Sequence, residues 1–185
     1  MTKPKNWPNE VEFINLNVWD TKMPGFYCNS DLDLSKEIEV VDEQVTGICK
    51  GVRIQQITDS KHPAYPAFGL FALKNIPPKS HILDYRGVIT DDENASITSD
   101  YILHFDKEFS IDAELKGNEG RFINDFRGVC KQPNVEFKLY RNAKGIVSMG
   151  VWSKLPIKKN QELCITYGKG FWVNRGITFD YYLQK

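Results

Sequence analysis

The chain has 185 residues, which is enough for one domain with an ordinary hydrophobic core. Its 24 basic residues match its 24 acidic residues in number, so no overall positive charge favours nucleic acid or an anionic membrane surface. Residues 1–8 lack the apolar core of a signal peptide, and the longest apolar stretch, residues 67–73, is far too short to span a bilayer. We therefore expect a soluble, intracellular protein that neither enters a membrane nor binds nucleic acid directly.

The first distinctive segment of the chain, residues 31–43, holds six acidic residues against Lys36 alone. A solvated acidic face is one interpretation of this segment. A docking strip for a lysine- and arginine-rich tail is the other, because complementary charges speed the encounter of two proteins. Both interpretations stay open on the sequence.

Short strand signals dominate the rest of the chain, and turn-forming residues such as Pro77-Pro78 and Gly87 separate them. In chain order the predicted strands are 50–58, 68–72, 80–85, 101–105 and 109–112, followed by a hairpin of 134–140 and 146–152 around a turn at 141–145. Residues 35–44 and the last fifteen residues are the helix candidates. Many short strands with few helices predict a mostly β fold of several small sheets, and the periodicity fits a barrel or a sandwich as well.

Residues that could bind a metal ion show no clustered spacing. The four cysteines are scattered along the chain at Cys28, Cys49, Cys130 and Cys164. A zinc site needs several thiolates or imidazoles within reach of one ion. The three histidines share no spacing with thiols or carboxylates, and we interpret them as structural or exposed. The sequence therefore predicts no metal site and four reduced thiols, most of them buried.

Two motifs lie close together in the second half of the chain. The first is GNEGRFIN at residues 117–124, followed by PNVEF at 133–137, and the second is ELCITYG at 162–168. Shorter pieces precede them in order, namely AFGLFA at 67–72, LDYRGV at 83–88, SDY at 99–101 and SIDA at 110–113. One piece alone would be weak evidence, but the ordered set, over roughly residues 67–172, resembles the SET domain of protein lysine methyltransferases.

The chain departs from the family pattern in four places. Ala67 stands where the first glycine of the opening motif usually lies. Asp125 replaces the usual His after the motif Asn, and Phe126-Arg127 replaces the usual Ser-Cys. The segment from 124 to 133 is also a few residues longer than the common form. In the family that His contacts adenine mainly through its backbone, so the contact survives a change of side chain.

The resemblance implies a mostly β, SET-domain fold of the β-clip-like type, with several short sheets and few short helices. The SET domain would span residues 61–168, and residues 1–60 would form a flanking segment that packs on its core. Residues 169–185 would form a post-SET-like segment without zinc. Zinc-containing family members hold this segment with cysteines, whereas here aromatic packing would have to hold it.

The resemblance also implies an S-adenosylmethionine-dependent protein lysine N-methyltransferase whose partner is a basic protein or peptide, with a histone tail lysine as the favoured substrate. A ribosomal protein or a translation factor is the alternative substrate. A non-catalytic SET-like peptide-binding module is the alternative function. A histone substrate implies a nuclear protein, with the cytoplasm as a second location, and a homodimer that completes the peptide groove stays open.

Roles for individual residues follow from the same resemblance. Tyr167 would be the catalytic tyrosine at the floor of the substrate channel, with Tyr85 as its catalytic partner in the channel wall. The residues implied to line the channel are Tyr85, Phe137, Ile165 and Phe171. The residues implied to bind S-adenosylmethionine are Phe68, Gly69, Leu70, Tyr101, Arg121, Phe122, Asn124, Asp125 and Trp172. By residue type alone, several of these aromatic and aliphatic residues would be ordinary strand or core residues.

Overall fold

The computed structural model describes residues 2–22, 39–41, 47–91, 93–106, 108–142, 144–173 and 175–176. The strands in these ranges are β1 (Glu12–Phe13), β2 (Val18–Trp19), β3 (Glu39–Val41), β4 (Val52–Gln56), β5 (Phe68–Ala72), β6 (His81–Asp84), β7 (Val88–Asp91), β8 (Ile102–His104), β9 (Phe109–Asp112), β10 (Lys116–Gly117), β11 (Asn124–Asp125), β12 (Val135–Asn142), β13 (Val147–Ser153) and β14 (Cys164–Ile165). They are accompanied by a 3-10 helix at Glu119–Phe122 and an α-helix, α1, at Lys169–Val173. The predicted mostly β fold with few short helices is confirmed. Within the described ranges, no helix is long and apolar enough to cross a membrane.

Two four-stranded sheets form the larger part of the fold. One has the strand order β3-β12-β13-β6, and the other has the order β2-β7-β9-β8. The predicted hairpin is confirmed as β12 and β13, which pair antiparallel from Val135 opposite Ser153 to Arg141 opposite Val147. All seven residues of β13 are buried, so this strand is covered on both faces and belongs to the centre of the fold.

Strand β3 corrects the prediction of a helix over residues 35–44. Glu39–Val41 pairs in parallel with residues 140–142 of β12 at the edge of its sheet. Two adjacent valines suit a strand, and the partner strand lies so far along the chain that no local pattern reveals the pairing. The helix prediction is therefore wrong for residues 39–41. The remainder of 35–44, most of the acidic segment and the aromatic residues 178–183 lie outside the described residues.

Two short parallel strands bring the two motifs together. Strand β11 in the first motif pairs with β14 in the second. The buried side chain of Asn134 fastens this crossing, because its Nδ2 donates to the Glu162 carbonyl (2.7 Å) and its Oδ1 accepts from the Cys164 N–H (2.8 Å). Both polar groups of this buried carboxamide are hydrogen-bonded to backbone atoms, as the backbone groups of a neighbouring strand would be. The chain segments that carry Asn124 and Tyr167 are thereby held side by side.

Asn118 fastens the 3-10 helix to the chain around Tyr85. Its Oδ1 caps the helix by accepting from the Gly120 N–H (3.3 Å), and it also accepts from the Arg86 N–H (3.1 Å). Its Nδ2 donates to the Asp84 carbonyl (2.8 Å). Gly120 suits this contact, because a Cβ there would lie 3.2 Å from side-chain atoms of both Asn118 and Tyr85. The first motif thus positions the strand end that carries Tyr85.

The N-terminal residues 2–22 pack on the same core. Trp7 lies edge to face against Phe13 and Phe122, with ring centroids 5.1 and 5.7 Å away. Its indole N–H donates to the Val11 carbonyl (2.8 Å). Strand β1 pairs with β10, and β2 pairs with β7. This segment therefore adds strands to two sheets, while the domain boundaries at residues 60 and 168 stay predictions.

Candidate active site

A cleft lies where the turn after β6, the start of β8, the 3-10 helix and the segment after β14 meet. This aromatic cleft is lined by Tyr85, Asp100, Tyr101, Ile102, Leu103, Gly120, Arg121, Ile123, Phe137, Thr166, Tyr167 and Phe171. The predicted site residues among them are Tyr85, Tyr101, Arg121, Phe137, Tyr167 and Phe171. The cleft therefore unites residues from both motifs and from the shorter pieces that precede them.

The hydroxyls of Tyr85 and Tyr167 both donate to backbone carbonyls. Tyr85 donates to the Tyr101 carbonyl (2.6 Å), and Tyr167 donates to the Ile123 carbonyl (2.8 Å). Burial raises the pKa of the Tyr85 hydroxyl, and the nearby Tyr167 hydroxyl adds to the rise. Burial also raises the pKa of the Tyr167 hydroxyl, with a further contribution from the Asp125 carboxylate. Both hydroxyls therefore stay protonated at neutral pH, and each oxygen keeps its lone pairs for a ligand.

Aromatic rings packed edge to face form the walls of the cleft. The ring of Phe137 lies against Tyr85 with centroids 5.3 Å apart, and Phe171 lies against Tyr167 at 4.6 Å. Pairs of this geometry add stability beyond the area they bury, so the walls are well defined. An apolar space between ring faces suits an alkyl chain that ends in a cation or an amine.

Arg121 braces the ring of Tyr101 in the cleft lining. Its guanidinium carbon lies 4.1 Å from the centroid of that ring, which is a cation–π contact. Its Nε donates to the Ala113 carbonyl (2.9 Å), and its NH2 donates to the Glu114 carbonyl (3.3 Å). The guanidinium is thus bound by the protein itself, and it fixes the orientation of Tyr101.

A second group of residues surrounds Asn124, the last residue of the first motif. We call it the Asn124 cluster, and its members are His62, Phe68, Gly69, Asn124 and Glu162. Asn124 Nδ2 donates to the Phe68 carbonyl (3.2 Å) and to Glu162 Oε1 (2.8 Å). Because both partners accept, the orientation of the carboxamide is determined, and its Oδ1 remains an acceptor on the other side. A Cβ on Gly69 would lie 2.5 Å from Glu162 Oε1, so a glycine is needed for this approach.

Asp125 links the Asn124 cluster to the cleft through its side chain. Its Oδ2 accepts from the Tyr167 backbone N–H (2.8 Å) and from the Trp172 indole N–H (3.3 Å). The NH1 of Arg127 lies 3.0 and 2.8 Å from its two oxygens. The resemblance implies a backbone contact with adenine at this position, and these side-chain contacts are an addition that the sequence does not predict.

Three residues of the predicted site are buried in the hydrophobic core and do not line the cleft. Leu70, Phe122 and Ile165 are 0, 7 and 3% exposed. The Leu70 carbonyl accepts from the Leu163 N–H (2.8 Å), and Phe122 lies edge to face against Phe68 with centroids 6.4 Å apart. Their predicted contacts with cofactor or substrate stay predictions.

His62 is a side chain of this region that the sequence does not single out, and Glu162 enters the sequence analysis only as the first residue of the second motif. His62 Nδ1 accepts from the Ala64 N–H (3.0 Å), so its Nε2 carries the proton and donates to Glu162 Oε2 (3.0 Å). No signal connects His62 to Glu162, because the two residues lie far apart in the sequence.

The thiols of the described chain show no metal site. No three His, Cys, Asp or Glu side chains converge among the residues that the structure describes. Cys49 and Cys164 are buried free thiols, and Cys130 is half-buried. Burial raises the pKa of all three thiols, so they are protonated and poorly reactive at neutral pH. Cys28 lies outside the described residues.

Comparison with known sequences identifies similar proteins. The family pattern described as "SET domain" matches residues 67–168. An H3 lysine-36 specific histone-lysine N-methyltransferase of Mus musculus is 28% identical over 160 residues, which is 76% of this chain and 6% of the mouse protein. The probable histone-lysine N-methyltransferase set-23 of Caenorhabditis elegans is 40% identical over 58 residues, which is 31% of this chain and 22% of that protein. The chain thus spans less than a quarter of the length of these relatives.

Solved structures share the fold. The crystal structure of KRYPTONITE in complex with mCHH DNA, an H3(1-15) peptide and SAH has a TM-score of 0.61 at 18% identity, and the match covers 86% of this chain and 41% of that chain. The crystal structure of the Chaetomium thermophilum polycomb repressive complex 2 has a TM-score of 0.53 at 21% identity, covering 66% of this chain and 16% of that chain. At these identities the likeness concerns the fold alone.

Proposed function

This chain belongs to the SET domain family, and on that premise we propose that it is a protein-lysine N-methyltransferase that uses S-adenosylmethionine. The proposal rests above all on the aromatic cleft, where the hydroxyls of Tyr85 and Tyr167 come from different motifs and both offer acceptor oxygens. Methyl transfer to an amine requires that its nitrogen be neutral and aligned. Two fixed acceptors in an apolar cleft suit that task.

The cleft suits the side chain of lysine. Its rings can enclose the aliphatic stem, and the loss of water disfavours the charged ammonium and lowers the pKa of the lysine amine. Tyr85 and Tyr167 are unsuited to act as the base, because their own protons are bound to carbonyls and burial keeps them protonated. In this proposal the amine loses its proton to water, and the two tyrosines orient the neutral amine by accepting its N–H groups.

The Asn124 cluster fits the methyl donor. S-adenosylmethionine, when bound, supplies a methyl group attached to a positively charged sulfur. Asn124 Oδ1 is the free acceptor of a carboxamide whose nitrogen is fixed by Phe68 and Glu162, and it suits the ammonium group of an amino acid. The full set proposed to contact the cofactor is Phe68, Gly69, Leu70, Tyr101, Arg121, Phe122, Asn124, Asp125 and Trp172.

A lysine in a basic histone tail is the substrate that we favour. The matched relatives are named as histone-lysine methyltransferases, and one solved neighbour is described with an H3(1-15) peptide. A histone substrate would place the protein in the nucleus.

Two measurements test this function. Calorimetric titration of the purified chain with S-adenosylmethionine should show one cofactor bound per chain. Incubation with methyl-labelled cofactor should label a lysine in core histones, and ribosomal proteins and elongation factors in the same panel detect the alternative substrates. Binding of a histone peptide without binding of the cofactor would identify a peptide-binding module instead. A chain that neither binds the cofactor nor labels any protein would contradict the proposal.

A further inference from the structure

Asp125 is a buried carboxylate whose hydrogen bonds reach a separate segment of the chain. It is 6% exposed, and it accepts from the Arg127 backbone N–H (2.9 Å) as well as from the Arg127 guanidinium. Arg127 therefore compensates its charge, as a buried carboxylate requires. Its remaining contacts, with Tyr167 and Trp172, join β11 to the chain after β14.

The segment that Asp125 holds comprises a two-residue strand, a turn and a five-residue helix. Strand β14 ends at Ile165, and the chain then turns at Gly168, whose φ is +84°. The helix α1 that follows has five residues, none of them buried, and a helix this short is not stable by itself. Asp125 Oδ2 binds the chain on both sides of the turn, through the Tyr167 N–H before it and the Trp172 indole after it. One carboxylate oxygen therefore accepts hydrogen bonds from both sides of the turn.

The position of this turn decides the shape of one wall of the aromatic cleft. Tyr167 and Phe171 lie on either side of the turn, and both line the cleft. Trp172 lies nearly parallel to Tyr167 with centroids 6.4 Å apart, and it lies edge to face against Phe171 at 5.2 Å. A shift of the turn would therefore move all three rings together.

We propose that Asp125 is a positioning residue, whose carboxylate fixes the Tyr167 backbone and the docking of α1 and thereby sets the geometry of the cleft. The consequence for turnover rests on the proposed function, whereas the structural part does not. The chemistry requires a carboxylate, because a neutral imidazole has one acceptor nitrogen and cannot serve Tyr167 and Trp172 together. A carboxamide keeps one acceptor oxygen and loses the charge that binds Arg127.

Amide hydrogen exchange at Tyr167 tests the hydrogen bond from its backbone N–H to Asp125, and it requires no enzymatic activity. In Asp125→Ala this amide should exchange about tenfold faster or more, because its acceptor is gone. The Tyr85 amide, which donates to the Met149 carbonyl (2.8 Å), should keep its rate. Arg127→Gln is the matched control, because it leaves the acceptor in place. An unchanged Tyr167 rate in Asp125→Ala, or in Asp125→Leu, which has a similar branched shape and no acceptor, if the alanine variant does not fold, would overturn the proposal.

Steady-state kinetics tests the consequence for turnover. Asp125→Asn should lower kcat about tenfold while the KM for peptide stays near the wild-type value. Trp172→Phe removes the indole donor and keeps a smaller aromatic ring, so it should lower kcat less, and the double variant should be no worse than Asp125→Asn alone. A lower melting temperature with an unchanged kcat would show a merely structural role and overturn the proposal. If the wild-type chain transfers no methyl group, the proposed function fails, and the exchange measurement still decides the positioning.

Discussion

The two tyrosines of the aromatic cleft are supported in different ways. Tyr85 follows β6, and its backbone N–H donates to the Met149 carbonyl of β13 (2.8 Å), so a four-stranded sheet holds it. Tyr167 follows a two-residue strand, and its backbone N–H donates to the side chain of Asp125 (2.8 Å). The backbone of Tyr85 is therefore held by a sheet, whereas the backbone N–H of Tyr167 is held by a side chain.

The sheet side also carries a buried charge network. Asp84 is fully buried, accepts from the Tyr140 hydroxyl (3.0 Å), lies 2.9 Å from His81 Nε2 and pairs with Arg86. Such a network stabilises the fold only while all its members are present. The comparison teaches that changes on the Tyr85 side should act on stability, whereas changes on the Tyr167 side should act on the geometry of the cleft.

Asp84→Ala should have the largest effect on the free energy of unfolding, because it disrupts the charge network on the Tyr85 side. It leaves Arg86 buried without its counter-charge and Tyr140 without its acceptor, and breaking a buried pair costs about 3–5 kcal/mol. Urea denaturation measures this loss as the free energy of unfolding. Glu136→Gln is the control, because its pair with Lys138 (3.0 Å) is partly exposed and worth less than about 1 kcal/mol. Equal losses in the two variants would show that the Asp84 network is not what stabilises the sheet.

High pH should weaken both walls through their tyrosines. Burial raises the pKa of Tyr85, Tyr140 and Tyr167 in the folded protein, so the unfolded chain ionises first as the pH rises above about 10. Below that pH each tyrosine makes its full contribution to the free energy of unfolding. Above it, each tyrosine lowers that free energy by about 1.4 kcal/mol per pH unit. Urea denaturation between about pH 8 and pH 11 measures the slope. Tyr85→Phe and Tyr167→Phe should each reduce it, and a flat profile would contradict the burial of these hydroxyls.

Asn124→Ala should weaken cofactor binding, and it thereby separates an effect on binding from the effects on turnover and stability predicted for other variants. The change removes Oδ1 and leaves Glu162 without its amide donor, and a lost buried hydrogen bond corresponds to a dissociation constant about tenfold higher. Isothermal titration calorimetry with S-adenosylmethionine measures it. Asn94→Ala removes a carboxamide that is bonded to Asp91 (2.8 Å), and it should leave the dissociation constant unchanged. Tight cofactor binding by Asn124→Ala would remove this residue from the proposed site.

The smallest energetic effect concerns the number of methyl groups added. Phe137 lines the cleft and carries no hydroxyl that could hold a water beside the amine, so we predict di- or trimethylation by the wild-type chain. Phe137→Tyr adds a hydroxyl to the wall formed with Tyr85 and should shift the product toward monomethyl-lysine with little change in stability. Mass spectrometry of a peptide under excess enzyme measures the product. A wild-type product that stops at one methyl group would refute the prediction.

Strands that are marked by local patterns are the part of the fold that the sequence predicts best. The predicted strands 68–72 and 109–112 coincide with β5 and β9, because the first is a short, mostly apolar run and the second alternates apolar and polar residues. Glu39–Val41, β11 and β14 depend on partners far along the chain, so their own residues carry no sufficient signal. Pairing of this kind is decided by tertiary contacts.

The candidate site divides in the same way. The residues that line the cleft belong to ordered motifs, and the sequence therefore predicts them as a group. The side-chain contacts of Asp125 and the pair of His62 with Glu162 join separate segments, and no spacing in the sequence indicates them. Ile165 is predicted for the channel and lies buried, because a motif does not show which face of a two-residue strand the core covers.

Transfer of a labelled methyl group to a histone H3 tail peptide, measured by mass spectrometry for the wild-type chain and for Tyr167→Phe, tests the central claim most directly. The wild-type chain should place the label on a lysine. Tyr167→Phe should reduce turnover on the order of a hundredfold, equivalent to about 2.7 kcal/mol, while the dissociation constant of S-adenosylmethionine stays within about twofold. Equal turnover by the two proteins, or a wild-type chain that labels no lysine, would contradict the account.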